Sequence, residues 1–376
     1  MGLLTAWLER RDSLENPKTS LSNPDAWLWD AFGASKSKTG VAVNERTSLQ
    51  SVAVFACVRI LANTLASLPW VTYERLPVGK QRATGHPLAA LLHDRPNPEM
   101  ASFTWRETLQ GHLLLWGNAY AEIERSKSGR PVALWPLMPN VTAPTRTPNG
   151  VKVYETYVGG TRYTVPAEDI LHVPGLGFDG QVGYSPIRLQ REAVGLALPA
   201  EQFGAQFFGN GSRPSGVLQH PGKLSQDAKL KMRESWQSVY GGLSNAHRVA
   251  ILEEGLQWQS IGVPPDDAQF LETRKFQTTE VARMFGVPPH MLADLDRATF
   301  SNIEHQSIEY VIHSVRPWLV RWEQICNWSL FGEGERDRYF SEFLVEGLLR
   351  GDSTQRATFY TQLFNVGALS VNDIRE

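Results

Sequence analysis

Residues 266–330 read DDAQFLETRKFQTTEVARMFGVPPHMLADLDRATFSNIEHQSIEYVIHSVRPWLVRWEQICNWSL, and their pattern decides how the chain is organised. Asp266 and Asp267 put acidic charge in the first turn of a helical run that lasts to Phe285. Gly286 stands just past its end, where a left-handed residue closes a helix. Residues 287–300 hold Pro288-Pro289 and Asp294-Leu-Asp-Arg-Ala298 and read as a loop. From Ser301 a second run places Ile308, Ile312, Val315, Leu319, Trp322 and Cys326 at spacings of four and three, as on one face of a helix. Such a helix spans roughly 45 Å, and Pro317 is expected to kink it near its middle.

Upstream, Ser185-Pro186 pairs a hydroxyl N-cap with proline at the first helical position. The helix predicted over 185–211 is apolar nearly all round, with Ile187, Leu189, Val194, Leu198, Phe203 and Phe207, so it needs cover on several sides. Neighbouring copies or an internal core would each supply that cover. Between the two helices lies a compact insert. It reads as a strand at 216–219, a helix at 225–240, and strands at 249–252 and 256–261 joined through Glu253-Glu254-Gly255.

The first half has α+β character. Residues 20–45 read as a loose arm, and residues 1–45 are expected to be flexible. A helix is predicted from Ser48 to Pro69, a strand at 70–75, a short helix after His86 and another from Ser102. Strands at 119–125, 132–137, 152–157 and 169–173 follow, separated by turns at Ser128-Gly129, Asn149-Gly150 and Gly159-Gly160. A last helical pair is predicted at 340–349 and 353–365.

Composition excludes several classes. With 376 residues, 42% hydrophobic and 20% charged, the chain can bury more than one core and is neither a disordered tail nor a fibre. Cys57 and Cys326 lie far apart in apolar surroundings, which suits a reducing cytoplasm. The apolar run at 52–71 carries Arg59, Asn63, Thr64, Ser67 and Pro69, so no membrane span is expected. The N-terminus turns charged too early for a signal peptide, and Ala6 argues against myristoylation of its Met-Gly start. The 37 basic residues are interleaved with 39 acidic ones, for a net charge of −2. Such a chain either has no nucleic-acid partner or handles one without a tight basic grip.

Three motifs bear on catalysis. Gly175-Leu-Gly-Phe-Asp-Gly180 matches GxGxxG after a strand, but its third glycine does not open a helix, and Ser185 starts a new cap four residues later. It reads as a connecting loop. His305, Glu309 and His313 recur every fourth residue and would form a metal or acid/base row, but no further ligand joins them, and a polar seam is the simpler reading. There is no P-loop, and Gly183-Tyr-Ser-Pro-Ile187 is not a nucleophile elbow. A nucleotide- or metal-dependent enzyme using Gly175–Gly180 or His305/Glu309/His313 is the alternative reading; no cofactor and no catalytic residue are expected. Most tryptophans are expected in the core, with Trp318, Trp322 and Trp328 as a possible assembly face.

Several runs occur together in order: Trp116-Gly-Asn-Ala-Tyr120, Gly183-Tyr-Ser-Pro-Ile187, Phe207-Phe-Gly-Asn-Gly211, Pro214-Ser-Gly-Val217, Asp267-Ala-Gln-Phe-Leu-Glu-Thr-Arg-Lys275, Glu280-Val-Ala-Arg-Met-Phe-Gly-Val-Pro-Pro289, Ser301-Asn-Ile-Glu304 and Gly367-Ala-Leu-Ser-Val-Asn-Asp-Ile-Arg375. In this order they resemble the portal (head–tail connector) proteins of siphovirus-type tailed phages, over about residues 45 to 375. The resemblance implies an α+β portal fold that assembles as a dodecameric ring around a DNA channel. By it, residues 46–184 form the wing, 185–211 and 264–286 the stem helices, 212–263 the clip, 287–302 the tunnel loop, and 303–376 the long kinked helix and crown-side helices.

The resemblance also assigns residues. Asp294, Asp296, Arg297, Thr299, Ser301 and Asn302 would face DNA from the tunnel loop. Glu272, Arg274, Lys275 and Glu280 would line the stem, and Lys229, Arg233, Trp236, Glu253 and Glu254 would lie in the clip that docks terminase and adaptors. Implied partners are further copies of the chain, double-stranded DNA passing non-specifically, the terminase large subunit, head-completion or adaptor proteins, and the major capsid and scaffold proteins. The implied location is the portal vertex of the virion, after synthesis in the host bacterial cytoplasm. Family members often continue beyond Glu376 with a polar tail, so a truncated end and a naturally short one are both open.

Overall fold

The computed structural model describes residues 35–199, 216–220, 222, 225–240, 257–260, 267–293, 306–345, 360–362, 364–367 and 370. They fall into two compact units: one within residues 1–51 and 191–278, the other within 52–190 and 279–376.

The second unit is α+β. The Val52–Ser67 helix buries Val54, Cys57, Val58, Leu61, Ala62, Leu65 and Ala66, which recur every three or four positions. It packs against the Ser102–Trp116 helix, which buries Trp105, Leu109 and Leu113. Between the helices and the sheets lies a cluster of tryptophans. Trp322 meets Trp70 and Trp105 edge-to-face at 6.2 and 5.8 Å, and Phe343 stacks on Trp70 at 4.3 Å. The Trp322 indole N–H donates to Gln110 Oε1 at 2.9 Å, whereas the buried indole N–H groups of Trp70 and Trp105 have no partner among the described residues. The expected tryptophan face therefore splits: Trp322 is core, Trp318 is half-buried, and Trp328 is exposed beneath the Arg336 guanidinium.

Three three-stranded antiparallel sheets complete this unit. Trp70–Arg75 is flanked by Lys80–Arg82 and Tyr339–Phe343, and Asn118–Arg125 by Pro131–Leu137 and Ile170–Pro174. Ala143–Arg146, Lys152–Val158 and Thr161–Pro166 form a meander. Tyr339–Phe343 corrects the helix expected from 340. Its residues alternate about a two-residue period, with Ser341 and Phe343 buried, and Phe340 pairs with Tyr73. Its outward amides are satisfied from the Arg316–Leu330 helix: Ser341 N–H donates to Asn327 Oδ1 and Phe343 N–H to Glu323 Oε1, both at 2.8 Å.

Two helices also differ from expectation. The helix predicted over 185–211 runs one turn, Pro186–Leu189, breaks at Gln190 (φ −104°, ψ 25°) and resumes over 191–199; residues 200–211 lie outside the described residues. The long helix does not simply kink at Pro317. Tyr310–Val315 is a π-helical turn, and Pro317 sits in the opening turn of Arg316–Leu330. A proline ring collides with the carbonyl four residues back, and a turn widened by one residue moves that carbonyl away.

In the first unit, Ser35–Lys36 and Ala42–Val43 form a short hairpin within the segment expected to be a loose arm. It packs on helical residues 191–199: the Thr39 hydroxyl donates to the Gly195 carbonyl at 2.7 Å, and Lys38 N–H donates to Glu192 Oε2 at 3.0 Å. Gly195 must be small, because a Cβ there would lie 2.4 Å from that of Ser37. In the expected insert, Gly216–Gln219 pairs with Gln257–Ser260, and the helix predicted over 225–240 is Gln226–Tyr240. The strand predicted at 249–252 lies outside the described residues.

Candidate functional site

The loop that follows the Asp267–Phe285 helix is held at both roots within the second unit. Gly286 adopts φ +68°, and Val287 N–H donates back to the Ala282 carbonyl at 2.9 Å, which closes the helix in the left-handed manner its sequence foretold. Val281, Ala282, Phe285 and Val287 are buried at this end. A Pro289–Leu292 3-10 turn follows, ended by Ala293 at φ 62°, a conformation disfavoured for any residue with a Cβ. On the return side Tyr310 and Val311 are buried, and the Tyr310 hydroxyl donates to Thr64 Oγ1 at 3.1 Å. The Ser314 hydroxyl donates to the Gly286 carbonyl and so ties one root to the other. Both roots pack on the Val52–Ser67 helix.

A second constellation explains the glycines. The backbones at 117, 175 and 183 meet so closely that none admits a side chain. A Cβ on Gly117 would lie 1.9 Å from the Tyr184 carbonyl oxygen, and one on Gly183 would lie 2.0 Å from that of Gly117. Gly175 N–H donates to the Gly117 carbonyl at 2.7 Å. The Asn118 side chain locks the joint: its Oδ1 accepts from Gly183 N–H (2.8 Å) and its amide donates to the Gly183 carbonyl (2.7 Å). Because the Gly183 amide can only donate, the atom facing it must be the oxygen. That oxygen also lies 3.0 Å from His172 Nε2, so Nε2 carries the hydrogen, and His172 Nδ1 accepts from the Tyr154 hydroxyl at 3.0 Å. Burial, with a smaller contribution from Lys152, holds the His172 imidazole neutral, with its pKa pushed down to about 3. Gly175–Gly180 thus closes a packed joint rather than opening a helix, because the chain continues to the Ser185 cap, whose hydroxyl donates to the Leu115 carbonyl at 2.7 Å. The geometry that a dinucleotide site requires is missing.

Two of the collinear runs, Trp116–Tyr120 and Gly183–Ile187, are the two sides of this joint. The phage portal protein family model matches residues 52–376. The chain belongs to the phage portal protein family. It is 34% identical to a probable portal protein of Streptomyces phage phiC31, over 95% of this chain and 81% of that one. It is 32% identical to the portal protein of Enterobacteria phage HK97, over 89% and 79% respectively. Among solved structures, the fold is similar to a chain in the neck of an empty gene transfer agent particle (TM-score 0.66, 23% identity, covering 93% and 97%). It is also similar to an HK97-family phage portal protein from Corynebacterium diphtheriae (TM-score 0.60, 18% identity, covering 82% and 96%). The portal family is a structural one, and the enzyme alternative finds no support in these relatives.

The residues singled out from sequence are distributed as follows. Asp294, Asp296, Arg297, Thr299, Ser301, Asn302, Glu253, Glu254 and His305 lie outside the described residues. Lys229, Arg233 and Trp236 are on the Gln226–Tyr240 helix, and Glu272 and Arg274 are on the Asp267–Phe285 helix. On that second helix Lys275 is exposed, and the partly exposed Glu280 is ion-paired with Arg283. Glu309 and His313 are exposed, with the π-helical turn beginning between them at Tyr310. Among the described residues no group of three or more His, Cys, Asp or Glu is placed to hold a metal ion. What sequence reading missed is the Asn118–His172–Tyr154 network. Asn118 stood inside a quoted run, but no periodic pattern couples it to His172.

Two outcomes are expected. Gly183→Ala should cost at least about 3 kcal/mol in urea unfolding, as strained sites and overpacked backbone do. Gly85→Ala, where a Cβ meets nothing within 4 Å, should be near neutral. Secondly, folded His172 stays neutral while the unfolded chain takes up its proton near the ordinary 6.5. Stability is therefore complete above about pH 6.5 and falls as pH drops toward about 3, by up to about 1.4 kcal/mol per pH unit from this group. His172→Gln should flatten the acid limb of melting temperature against pH; a limb as steep as the parent's would remove His172 from the account.

Proposed function

We propose that the chain is the repeating subunit of a ring, dodecameric in the virion, that sits at one capsid vertex and forms the passage for double-stranded DNA during packaging and ejection. The observation that carries this reading is family membership over residues 52–376, alongside curated portal relatives. Solved neighbours of the same fold come from gene transfer agent necks computed with C6 and C12 symmetry, which supports a ring of copies. The charge balance fits such a passage. A polyanion must slide, and a strongly basic lining would retain it through counterion release; 37 basic against 39 acidic residues avoids that grip.

Within this reading residues 46–184 are the wing, 185–211 and 264–286 the stem, 212–263 the clip, 287–302 the tunnel loop and 303–376 the crossing helix and crown side. The doubly anchored roots around Gly286 and Tyr310 support the loop assignment. A segment that works against moving DNA needs feet that do not yield, and here both are tied to the Val52–Ser67 helix. The clip would dock the terminase large subunit and later the head-completion or adaptor proteins, while the wing and crown side would meet capsid and scaffold proteins. Synthesis in the host bacterial cytoplasm fits the two free, buried cysteines.

Electron microscopy of the purified chain tests the ring: annular particles with an axial hole are expected, and a compact monomer would overturn it. Asp294→Lys combined with Asp296→Lys is expected to impair packaging or ejection, read as encapsidated DNA and as infectious yield. Unchanged yield would remove these two residues from the channel surface.

A further inference from the structure

His86 has a geometry that the fold alone does not require. It is the N-cap of the Pro87–His93 helix, and its Nδ1 accepts the Leu88 N–H at 3.2 Å. An imidazole nitrogen that accepts carries no hydrogen, so the hydrogen of the neutral ring is on Nε2. That Nε2 is buried and without a hydrogen-bond partner. It borders a cavity lined by Pro87, Leu88, Arg130, Pro131, Leu330 and Glu335. The nearest acid is Glu335, whose Oε1 stands 3.9 Å from Nε2, beyond hydrogen-bond reach but within ion-pair range. Glu335 Oε2 meanwhile accepts from Gly332 N–H at 3.3 Å, which keeps Oε1 turned to the histidine. The ring packs against Phe331 and Tyr339, with centroids at 5.3 and 4.8 Å.

We propose that His86 is a pH-dependent latch that exchanges the N-cap of the Pro87–His93 helix for an ion pair with Glu335. The neutral ring caps the helix through Nδ1 and leaves Nε2 unpaired. The imidazolium has a hydrogen on both nitrogens and no acceptor, so on protonation the Leu88 amide loses its partner. In exchange, the charged Nε2–H gains Glu335. The charged groups facing the ring are Glu335, which favours the proton, and Arg130 across the cavity, which opposes it; burial opposes it most. The exchange therefore lies on the acid side of the ordinary histidine range. It links the first turn of the helix to the 332–338 turn, which joins the Arg316–Leu330 helix to the Tyr339–Phe343 strand.

The test is hydrogen exchange by mass spectrometry on the full chain, with protection corrected for intrinsic rate, between about pH 7.5 and about pH 5. The peptide containing Leu88 is expected to lose protection about fivefold on acidification, the size of a lost N-cap, while peptides from the Ser102–Trp116 helix hold theirs. His86→Asn keeps a capping acceptor that does not titrate and should abolish the change. Glu335→Gln removes the ion-pair partner and should move the change to lower pH. Constant protection in the parent, or an equal loss in His86→Asn, overturns the latch. If His86→Asn fails to fold, the Glu335→Gln shift decides alone: an unshifted transition overturns it.

Discussion

Three backbone segments meet at Gly117, Gly175 and Gly183 at distances that leave no room for a β-carbon, and the second unit hangs from that contact. Gly117, at φ 75°, ends the Ser102–Trp116 helix and hands directly to the Asn118–Arg125 strand, so one residue orients both a core helix and the centre of a sheet. Asn118 then satisfies both the amide and the carbonyl of Gly183, groups that would otherwise be buried without water or partner. Arg321, on the Arg316–Leu330 helix, donates to the carbonyl of Pro174, the residue just before Gly175, so that helix is fastened to the same joint. A contact between bare backbones has no side chain to repack, which makes this a place of fixed geometry.

The rigidity reaches the loop roots. The Val52–Ser67 helix receives both of them and is itself buried in the core through Cys57, Leu61 and Leu65. Burial pushes the Cys57 thiol up to about 12 and the Tyr310 phenol up to about 12, so neither ionises near neutrality and the Tyr310 hydroxyl stays a hydrogen-bond donor to Thr64. Charge in the loop itself rests with its own residues, such as Asp294, Asp296 and Arg297.

Legibility in the sequence followed the source of each element's stability. Val52–Ser67, Trp70–Arg75, Ser102–Trp116 and Asp267–Phe285 were readable because apolar spacing and end signals act within one segment. Lys80–Arg82, Ala143–Arg146 and Thr161–Pro166 were not, since they carry few buried apolar residues and exist by pairing with a neighbour. Tyr339–Phe343 was misread because its two aromatic pairs fit a helical spacing until Trp70 and Tyr73 claim them from another strand. The break at Gln190 falls where the chain passes from one unit to the other, a change that no periodicity records. For the candidate site, residues 287–300 were recognisable as a loop from their prolines and polar run, but the extension to 302 and the roles of their residues came only from resemblance. The bonds that fix the roots, such as Tyr310 to Thr64, join positions far apart in sequence.

The pairing of Tyr339–Phe343 with Trp70–Arg75 also sets an order of events. As the chain leaves the ribosome, the strand at 70–75 emerges long before its partner, and Trp70 must wait for both Trp322 and Phe343 to complete its surroundings. Everything from 191 to 278 belongs to the other unit and is made in the interval, so that unit can close first as an excursion from an unfinished one. The pairing closes a loop that spans most of the chain, at an entropic cost that grows only with the logarithm of its length. Until then an aromatic edge stays open to solvent. Nascent chains crowded on one message would meet at that edge before any assembled surface exists.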